Sequence, residues 1–403
     1  MTDTSSGAFA RDVVVVGGCG HVGLPLAIAL AGRGARVDIY DISAAAVGMV
    51  NEGRMPFAEP AAGHVLKQVI AEGFLSASTR PSVVGTAEHV VLVTGTPVDE
   101  HLNPDQGAVL RAIDGCAGFL RDGQILILRS TVYPGATAMV ERRLAELGLD
   151  VDVAFCPERI AEGKAMTELF DLPQIVSSRT QRGSERASAL FARLTGTIVP
   201  LAPEEAELAK LFTNTWRYIM FATANQLYMM ANDRGLDFEK IRQGLMLDYP
   251  RAADMPGAGF AAGPCLFKDT LQLAAFNNNN FALGHTAMII NEGLPLYLVH
   301  RIEQRFHLAA MTVGILGMAF KASSDDIRSS LSYKLKRILA FKAREVLCTD
   351  PYVTADQGLK PLEEVLARSD LLVIGAPHPE YAELVTRKPT ADIWNVLGKG
   401  VLV

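Results

Sequence analysis

Residues 11–41 read RDVVVVGGCGHVGLPLAIALAGRGARVDIYD. The run Val13–Val16 is β-branched and continuously apolar, as in a parallel strand buried on both faces. Gly18, Gly20 and Gly23 then fall in a G-x-G-x-x-G frame, with Cys19, His21 and Val22 between them. An apolar stretch to about Gly32–Gly34 predicts a helix, and Arg36–Tyr40 predicts a second strand ending at Asp41. Each glycine has its own duty. Gly18 permits the tight turn, Gly20 lets the backbone approach a pyrophosphate, and Gly23 lets helix and strand pack closely. The free amides at the helix start face the phosphates. Asp41, 18 residues beyond Gly23, stands where an acid accepts a hydrogen bond from a ribose 2′-hydroxyl. It would repel a 2′-phosphate. The segment therefore predicts an NAD site formed by Gly18, Gly20, His21, Val22, Gly23 and Asp41.

The alternation of strand and helix continues. Strand-like runs at His89–Thr94, Gln124–Arg129, Val151–Phe155 and Gln174–Ser177 predict a doubly wound domain over residues 1–200. Glu204 to Arg234 carries no glycine or proline, and Gly235 follows. That is a helix of about 30 residues, roughly 45 Å long, with a glycine stop. Leu208, Leu211, Phe212, Trp216 and Met220 leave it apolar around much of its circumference, so another domain or a second subunit must cover it. It opens a central helical, dimerisation region over residues 201–300. Strand-like Met311–Leu316, Glu345–Thr349, Leu371–Ile374 and Asp392–Val396, with a helix around Leu331–Phe341, predict a third region over residues 301–403. It is Rossmann-like, but Gly314 and Gly317 do not continue into a helix-opening G-x-x-G, so its ligand differs from the first. The expected fold class is α/β, with two Rossmann-like domains joined by a long central helix.

Composition narrows the function. Of 403 residues, 49% are hydrophobic and 20% charged, which excludes a disordered or fibrous chain. The 38 basic and 44 acidic residues give a net charge of −6, against a general nucleic-acid binder. No apolar stretch approaches the ~18 residues that span a bilayer, and Met1–Ala10 lacks the apolar core of a signal peptide. The five cysteines are odd in number and never spaced Cys-x-x-Cys. This predicts a reduced, cytoplasmic enzyme with neither a disulfide framework nor a zinc site. No metal is expected, since the eight histidines have no metal-ligand spacing.

Six blocks lie in order: Thr96-Pro97-Val98-Asp99; Ser130-Thr131-Val132-Tyr133-Pro134-Gly135; Cys156-Pro157-Glu158-Arg159 through Glu162-Gly163-Lys164; Glu207 to Asn214; Gly263-Pro264-Cys265-Leu266-Phe267-Lys268-Asp269; and Gly317 to Lys321 with Asp325 to Ser330. Together they resemble the UDP-glucose/GDP-mannose dehydrogenase family, the nucleotide-sugar 6-dehydrogenases, over residues 12 to 400. The resemblance implies oxidation of a sugar C6 alcohol to a carboxylate with two NAD⁺ in succession. It makes Cys265 the nucleophile that captures the aldehyde. Lys210 and Asn214, one helical turn apart, become oxyanion stabilisers that also touch substrate. Asp269 and Thr131 hold a water, Thr131 beside the cofactor. Glu158 serves hydrolysis and the substrate, and Glu162 polarises active-site water. Thr96, Pro97 and Arg328 fall at cofactor contacts, and Gly263 and Lys321 at substrate contacts. Arg251 resembles the arginine that reaches a neighbouring subunit's substrate, so a homodimer or higher homo-oligomer is implied.

Cys-Pro-Glu-Arg and Gly-Pro-Cys-Leu resemble the branch acting on UDP-N-acetylhexosamines such as UDP-N-acetylmannosamine. Glu162 and Lys268-Asp269 are shared with the UDP-glucose branch, while Phe267 and Leu331 replace the commoner prolines. The sugar thus stays open between a UDP-N-acetylhexosamine and UDP-glucose. A two-electron hydroxyacid dehydrogenase would not need Cys265, and a non-catalytic NAD-binding protein would need neither Cys265 nor Lys210. Placing a phosphate dianion near Asp41 costs on the order of 2 kcal/mol or more. Turnover measured with both cofactors should therefore favour NAD⁺ over NADP⁺ by well over tenfold; equal turnover would contradict the role of Asp41.

Overall fold

The computed structural model describes residues 9–95, 105 and 107–403. They form two compact units, divided between Phe212 and Thr213. In the first unit the elements run β1 (Arg11–Val16), α1 (Gly23–Gly32), β2 (Val37–Tyr40), α2 (Ala44–Asn51), α3 (Ala62–Ala71), β3 (Leu75–Ser78) and β4 (Ala87–Leu92). Then follow α4 (Ala108–Asp114), β5 (Ile125–Leu128), α5 (Ala136–Glu146), β6 (Asp152–Phe155), α6 (Ala165–Asp171), β7 (Gln174–Ser178), α7 (Gln181–Phe191) and β8 (Ile198–Leu201). The sheet order is β3-β2-β1-β4-β5-β6-β7-β8. All neighbouring pairs are parallel except β6 with β7. The strand order reverses beside β1, between β2 and β4, which is where open α/β sheets bind ligands at the carboxyl ends of their strands.

The all-valine run works as its sequence suggests. Val13 and Val15 pack into one core with Leu24 and Ile28 of α1. Val14 and Val16 pack into another with Leu126 and Val140. Both faces of β1 are therefore dry, which explains why its pattern is continuous rather than alternating.

The long helix α8 (Pro203–Asn232) contains the division between the units. It begins one residue earlier and ends two earlier than the sequence suggests. Leu236 N donates to Ala231 O at 3.0 Å and Gly235 takes φ +70°, the left-handed glycine closure of a helix C-terminus. Tyr218 and Tyr228 are fully buried, yet Trp216 is 64% exposed and Phe212 53%.

In the second unit, α9 (Phe238–Met246), α10 (Leu266–Phe276) and α11 (Ala282–Glu303) precede β9 (Thr312–Leu316), α12 (Leu331–Ala340), β10 (Glu345–Thr349), α13 (Leu362–Arg368), β11 (Leu371–Ile374) and β12 (Thr390–Ala391). A parallel sheet runs β10-β9-β11-β12. The expected strand Asp392–Val396 is not one. The Asp392 carboxylate accepts from Trp394 N at 3.1 Å and Leu397 N at 2.8 Å, and this local side-chain bonding turns the chain after Ala391. Among the described residues no helix is long and apolar enough to cross a membrane.

Candidate active site

In the first unit the glycine turn joins β1 to α1. Its left-handed residue is Gly17, one position before the motif: φ is +72° and a Cβ there would lie 1.9 Å from Val93 O. The doubled Gly17-Gly18 was the available signal. A Cβ on Gly18 would meet Val15 O at 2.8 Å, and one on Gly23 would meet Gly18 Cα at 2.6 Å. Gly20 alone of the motif has open space there, with nothing within 4 Å. That space, beside the first amides of α1, fits a pyrophosphate. Asp41 sits at the end of β2. Its Oδ2 accepts from Cys19 N and its Oδ1 from Ser43 N, both at 2.9 Å. It thus ties the turn to the strand while remaining half-buried, with lone pairs left for a ribose. The His21 ring stacks on Phe57 at 4.0 Å, and its Nδ1 lies 3.8 Å from Glu162. Thr96 and Pro97 lie outside the described residues.

The loop after β6 carries Glu158 and Glu162, and carboxylates from outside it, buried Glu59 and half-buried Glu168, hold it. Glu59 accepts from Gly163 N and Ala165 N at 2.9 Å each, and Glu168 accepts from Ala161 N at 2.6 Å. Glu158 itself is inside. Its Oε2 meets Arg129 at 2.5 Å, and its Oε1 accepts from Arg159 N at 2.7 Å and Ile160 N at 3.0 Å. Arg129 is fully buried and also donates to Cys156 O at 2.9 Å and Gln174 at 2.8 Å. This geometry makes Glu158 a brace for its loop, with both oxygens engaged. The sequence did not reveal Arg129, because it reads as the last residue of a strand. Thr131 is half-buried in the loop after β5. Lys210, a lysine only 9% exposed, lies on α8 one turn after Glu207. Glu207 caps α5, accepting from Gly135 N at 2.6 Å and Thr137 N at 2.8 Å.

In the second unit Asn214 and Asp269 come together. Asn214 Nδ2 donates to Asp269 Oδ2 at 2.5 Å, and Lys268 Nζ stands 3.7 Å from Oδ1. Asp269 is completely buried, although α10, on which it lies, starts at an exposed residue. That residue is Cys265, immediately before the helix; its carbonyl accepts from Asp269 N at 2.9 Å. The other four cysteines are buried. Burial pushes the thiols of Cys19 and Cys156 up to about 12 and those of Cys116 and Cys348 to about 11, so none forms a thiolate near neutrality. Cys265 stands instead at the N-terminus of α10.

Gly263 has φ +98°, and a Cβ there would lie 2.6 Å from the Phe320 ring. Beside this turn a cleft of about 510 Å³ opens, bounded by Gly263, Phe267, Ser329, Ser330, Lys334 and Arg337. Lys321 Nζ lies 5.3 Å from the Phe320 ring centroid. Arg328 is clamped to Asp326, with NH2 to Oδ2 at 2.6 Å. Arg251 is exposed and stacks on Tyr249 at 4.8 Å.

A dinucleotide turn in one unit and a single accessible cysteine in the other define a nicotinamide-dependent oxidoreductase with a cysteine at its disposal. Residues 12–195 match the NAD binding domain of the UDP-glucose/GDP-mannose dehydrogenase family, residues 204–292 its central domain, and residues 314–399 its UDP binding domain. The chain belongs to that family, and it is an NAD-dependent nucleotide-sugar dehydrogenase. It is 31% identical to the UDP-N-acetyl-D-mannosamine dehydrogenase of Yersinia pestis, across 97% of this chain and 99% of that one. The UDP-D-ManNAc dehydrogenase structure from Pyrococcus horikoshii superposes with a TM-score of 0.89 at 28% identity, covering 96% of each chain. A UDP-glucose dehydrogenase structure from Pyrobaculum islandicum also gives 0.89, at 26% identity, covering 96% of this chain and 94% of that one.

The Arg129–Glu158 pair yields a stability prediction. Arg129→Met leaves the Glu158 carboxylate buried beside apolar groups, and should lower unfolding stability by about 3–5 kcal/mol. Urea denaturation followed by circular dichroism would check this; a change within error of zero would show that the pair is solvated.

Proposed function

We propose that this enzyme carries out the four-electron oxidation of the C6 hydroxymethyl group of a UDP-N-acetylhexosamine, giving the uronic acid through a thioester on Cys265. The observation that carries the reading is the placement of Cys265. It is the one exposed cysteine of five, it precedes a helix N-terminus, and a buried carboxylate follows one turn later. The Yersinia pestis relative, named for UDP-N-acetyl-D-mannosamine and similar over 97% of this chain, supports the sugar class.

The chemistry follows from what an aldehyde needs. Oxidation of the alcohol removes a hydride and a proton. The aldehyde has no second hydride to lose until a nucleophile adds to its carbonyl, so the Cys265 thiolate attacks that carbon and forms a thiohemiacetal. Loss of its C–H as hydride, with its O–H proton passing to water, gives the thioester. Water then attacks the carbonyl, the C–S bond breaks, the thiolate leaves, and the carboxylic acid is released. Gly18, Gly20, Gly23 and Asp41 would hold NAD⁺, which when bound would supply the hydride acceptor for each oxidation. The Lys210 ammonium stabilises the oxyanions. Asn214 keeps Asp269 oriented, and the buried Asp269 carboxylate takes the proton of the attacking water. Thr131 and Glu162 are assigned to that water, and Glu158 to the stability of the loop carrying Glu162. Arg337 and Lys334, the latter paired with Glu292 at 3.0 Å in the same cleft, support a diphosphate-bearing substrate, with Lys321 on the adjoining loop.

Wild-type enzyme given UDP-N-acetylmannosamine should release two NADH per acid. Cys265→Ala should reduce acid formation by on the order of 10³-fold or more. Cys265→Ser should be slow, because an oxygen ester is a poorer acyl donor. Cys116→Ala and Cys348→Ala should stay within a few-fold of wild type. One NADH per molecule of a stable ketone would replace this mechanism with a two-electron oxidation.

The enzyme is further proposed to be a homodimer or higher homo-oligomer. Trp216 on α8 and Leu283, Ile289 and Leu296 on α11 are all more than half exposed, and bulky apolar groups of this kind favour a covered surface. Sedimentation at micromolar concentration should give at least twice the 43.3 kDa chain mass, and Trp216→Glu should shift the mass toward the monomer. A fully active wild-type monomer would count against it.

A further inference from the structure

Asp350 immediately follows β10, the strand beside β9. Asp41 holds the corresponding place beside β1, at the end of β2. In a dinucleotide site such an acid keeps lone pairs for a ribose. Asp350 keeps none. Its Oδ2 accepts from Met318 N at 2.6 Å, Ala319 N at 2.9 Å and His378 Nε2 at 3.0 Å. Its Oδ1 accepts from Tyr352 N at 2.8 Å and Val353 N at 3.1 Å. Burial by itself would raise its pKa, but the His378 bond and the backbone amides outweigh that and hold it down to about 2.

His378 is completely buried. Its Nδ1 accepts from Ser323 N at 3.1 Å, so the ring proton is assigned to Nε2, where it is donated to Asp350. Tyr352 and Tyr381 flank the ring at 5.1 and 5.7 Å. The two residues thus grip both ends of one loop: Asp350 at Met318–Ala319, and His378 at Ser323. That loop carries Lys321, and its Phe320 ring stands 2.6 Å from where a Cβ on Gly263 would be. Gly263 N also donates to Ser329 O at 3.3 Å, so the loop region forms a wall against the turn leading to Cys265.

We propose that Asp350 and His378 are positioning residues. They fill the place a dinucleotide ribose would need in this sheet, and they fix the Gly317–Ser323 loop so that Lys321 meets a nucleoside diphosphate and Phe320 backs the Cys265 turn. The proposal rests on the reading of this unit as the one that binds the nucleotide sugar.

The test uses the full chain, with UDP as probe by calorimetry and NADH by fluorescence. His378→Ala should weaken UDP binding about tenfold, the value of about one hydrogen bond, and should change the rate of Cys265 alkylation by iodoacetamide. NADH affinity should stay at the wild-type value. His378→Asn places an acceptor near the position of Nδ1 and should recover most of the UDP affinity. His378→Gln keeps the contact to Asp350 but loses Ser323, and should not. If His378→Ala does not fold, the Asn and Gln variants decide the matter, and the proposal requires Asn to bind UDP more tightly. Wild-type UDP affinity in folded His378→Ala, or equal affinity in Asn and Gln, would overturn it. Wild-type protein that binds NADH but not UDP would overturn the nucleotide-sugar reading, and this proposal with it.

Discussion

Loops that leave the ends of parallel strands carry amide groups that no neighbouring strand can satisfy, and in this protein carboxylates accept from them. Asp41 takes Cys19 N, Glu59 takes Gly163 N and Ala165 N, Glu158 takes Arg159 N and Ile160 N, Glu207 takes Gly135 N and Thr137 N, and Asp350 takes Met318 N and Ala319 N. An unpaired buried amide costs roughly 1–3 kcal/mol, and a hydrogen bond to a charged acceptor is stronger than one to a neutral group. Every loop bearing a residue of the proposed chemistry in the first unit is held in this way, apart from the segment outside the described residues. A loop so held can present one geometry to a ligand without belonging to a sheet or helix.

The two Rossmann-like sheets show the same device turned to different ends. Each has an acid at the end of the strand next to the first. Asp41 is half-buried and makes two backbone contacts, which leaves it able to accept from a ribose. Asp350 is saturated by backbone amides and by His378. The glycine pattern runs in parallel with this: Gly20 faces open space, whereas a Cβ on Gly317 would lie 2.6 Å from Ala376 N. The topology is common to both, and the filling of the strand ends separates a dinucleotide site from a site of another kind.

The backbone does not choose the sugar. Structures named for UDP-D-ManNAc and for UDP-glucose superpose on this chain with the same TM-score of 0.89. Discrimination between an acetamido group and a hydroxyl therefore resides in side chains around the reacting sugar, where one unpaired polar group shifts affinity by more than any difference in fold. The mixed blocks of this chain, Gly-Pro-Cys-Leu with Phe267 but also Lys268-Asp269, are the place where such discrimination would be written.

The fold was legible because its determinants are local and periodic. The Val13–Val16 run, the glycine frame, Asp41 and the helix from about residue 203 to its glycine stop follow from side-chain pattern and backbone sterics, and six ordered blocks marked Cys265, Lys210, Asn214 and Asp269. Local chemistry misled where a side chain competes with the strand ladder, as Asp392 does by turning the chain after Ala391. The bracing of the loops was not legible. Glu59 reaches a turn 104 residues away, Arg129 meets Glu158 across 29, and Asp350 meets His378 across 28. In sequence each is one more charged residue or histidine. Burial decides its role, because an ionised group out of water must find a partner of fixed geometry, and only the tertiary structure brings those partners within reach.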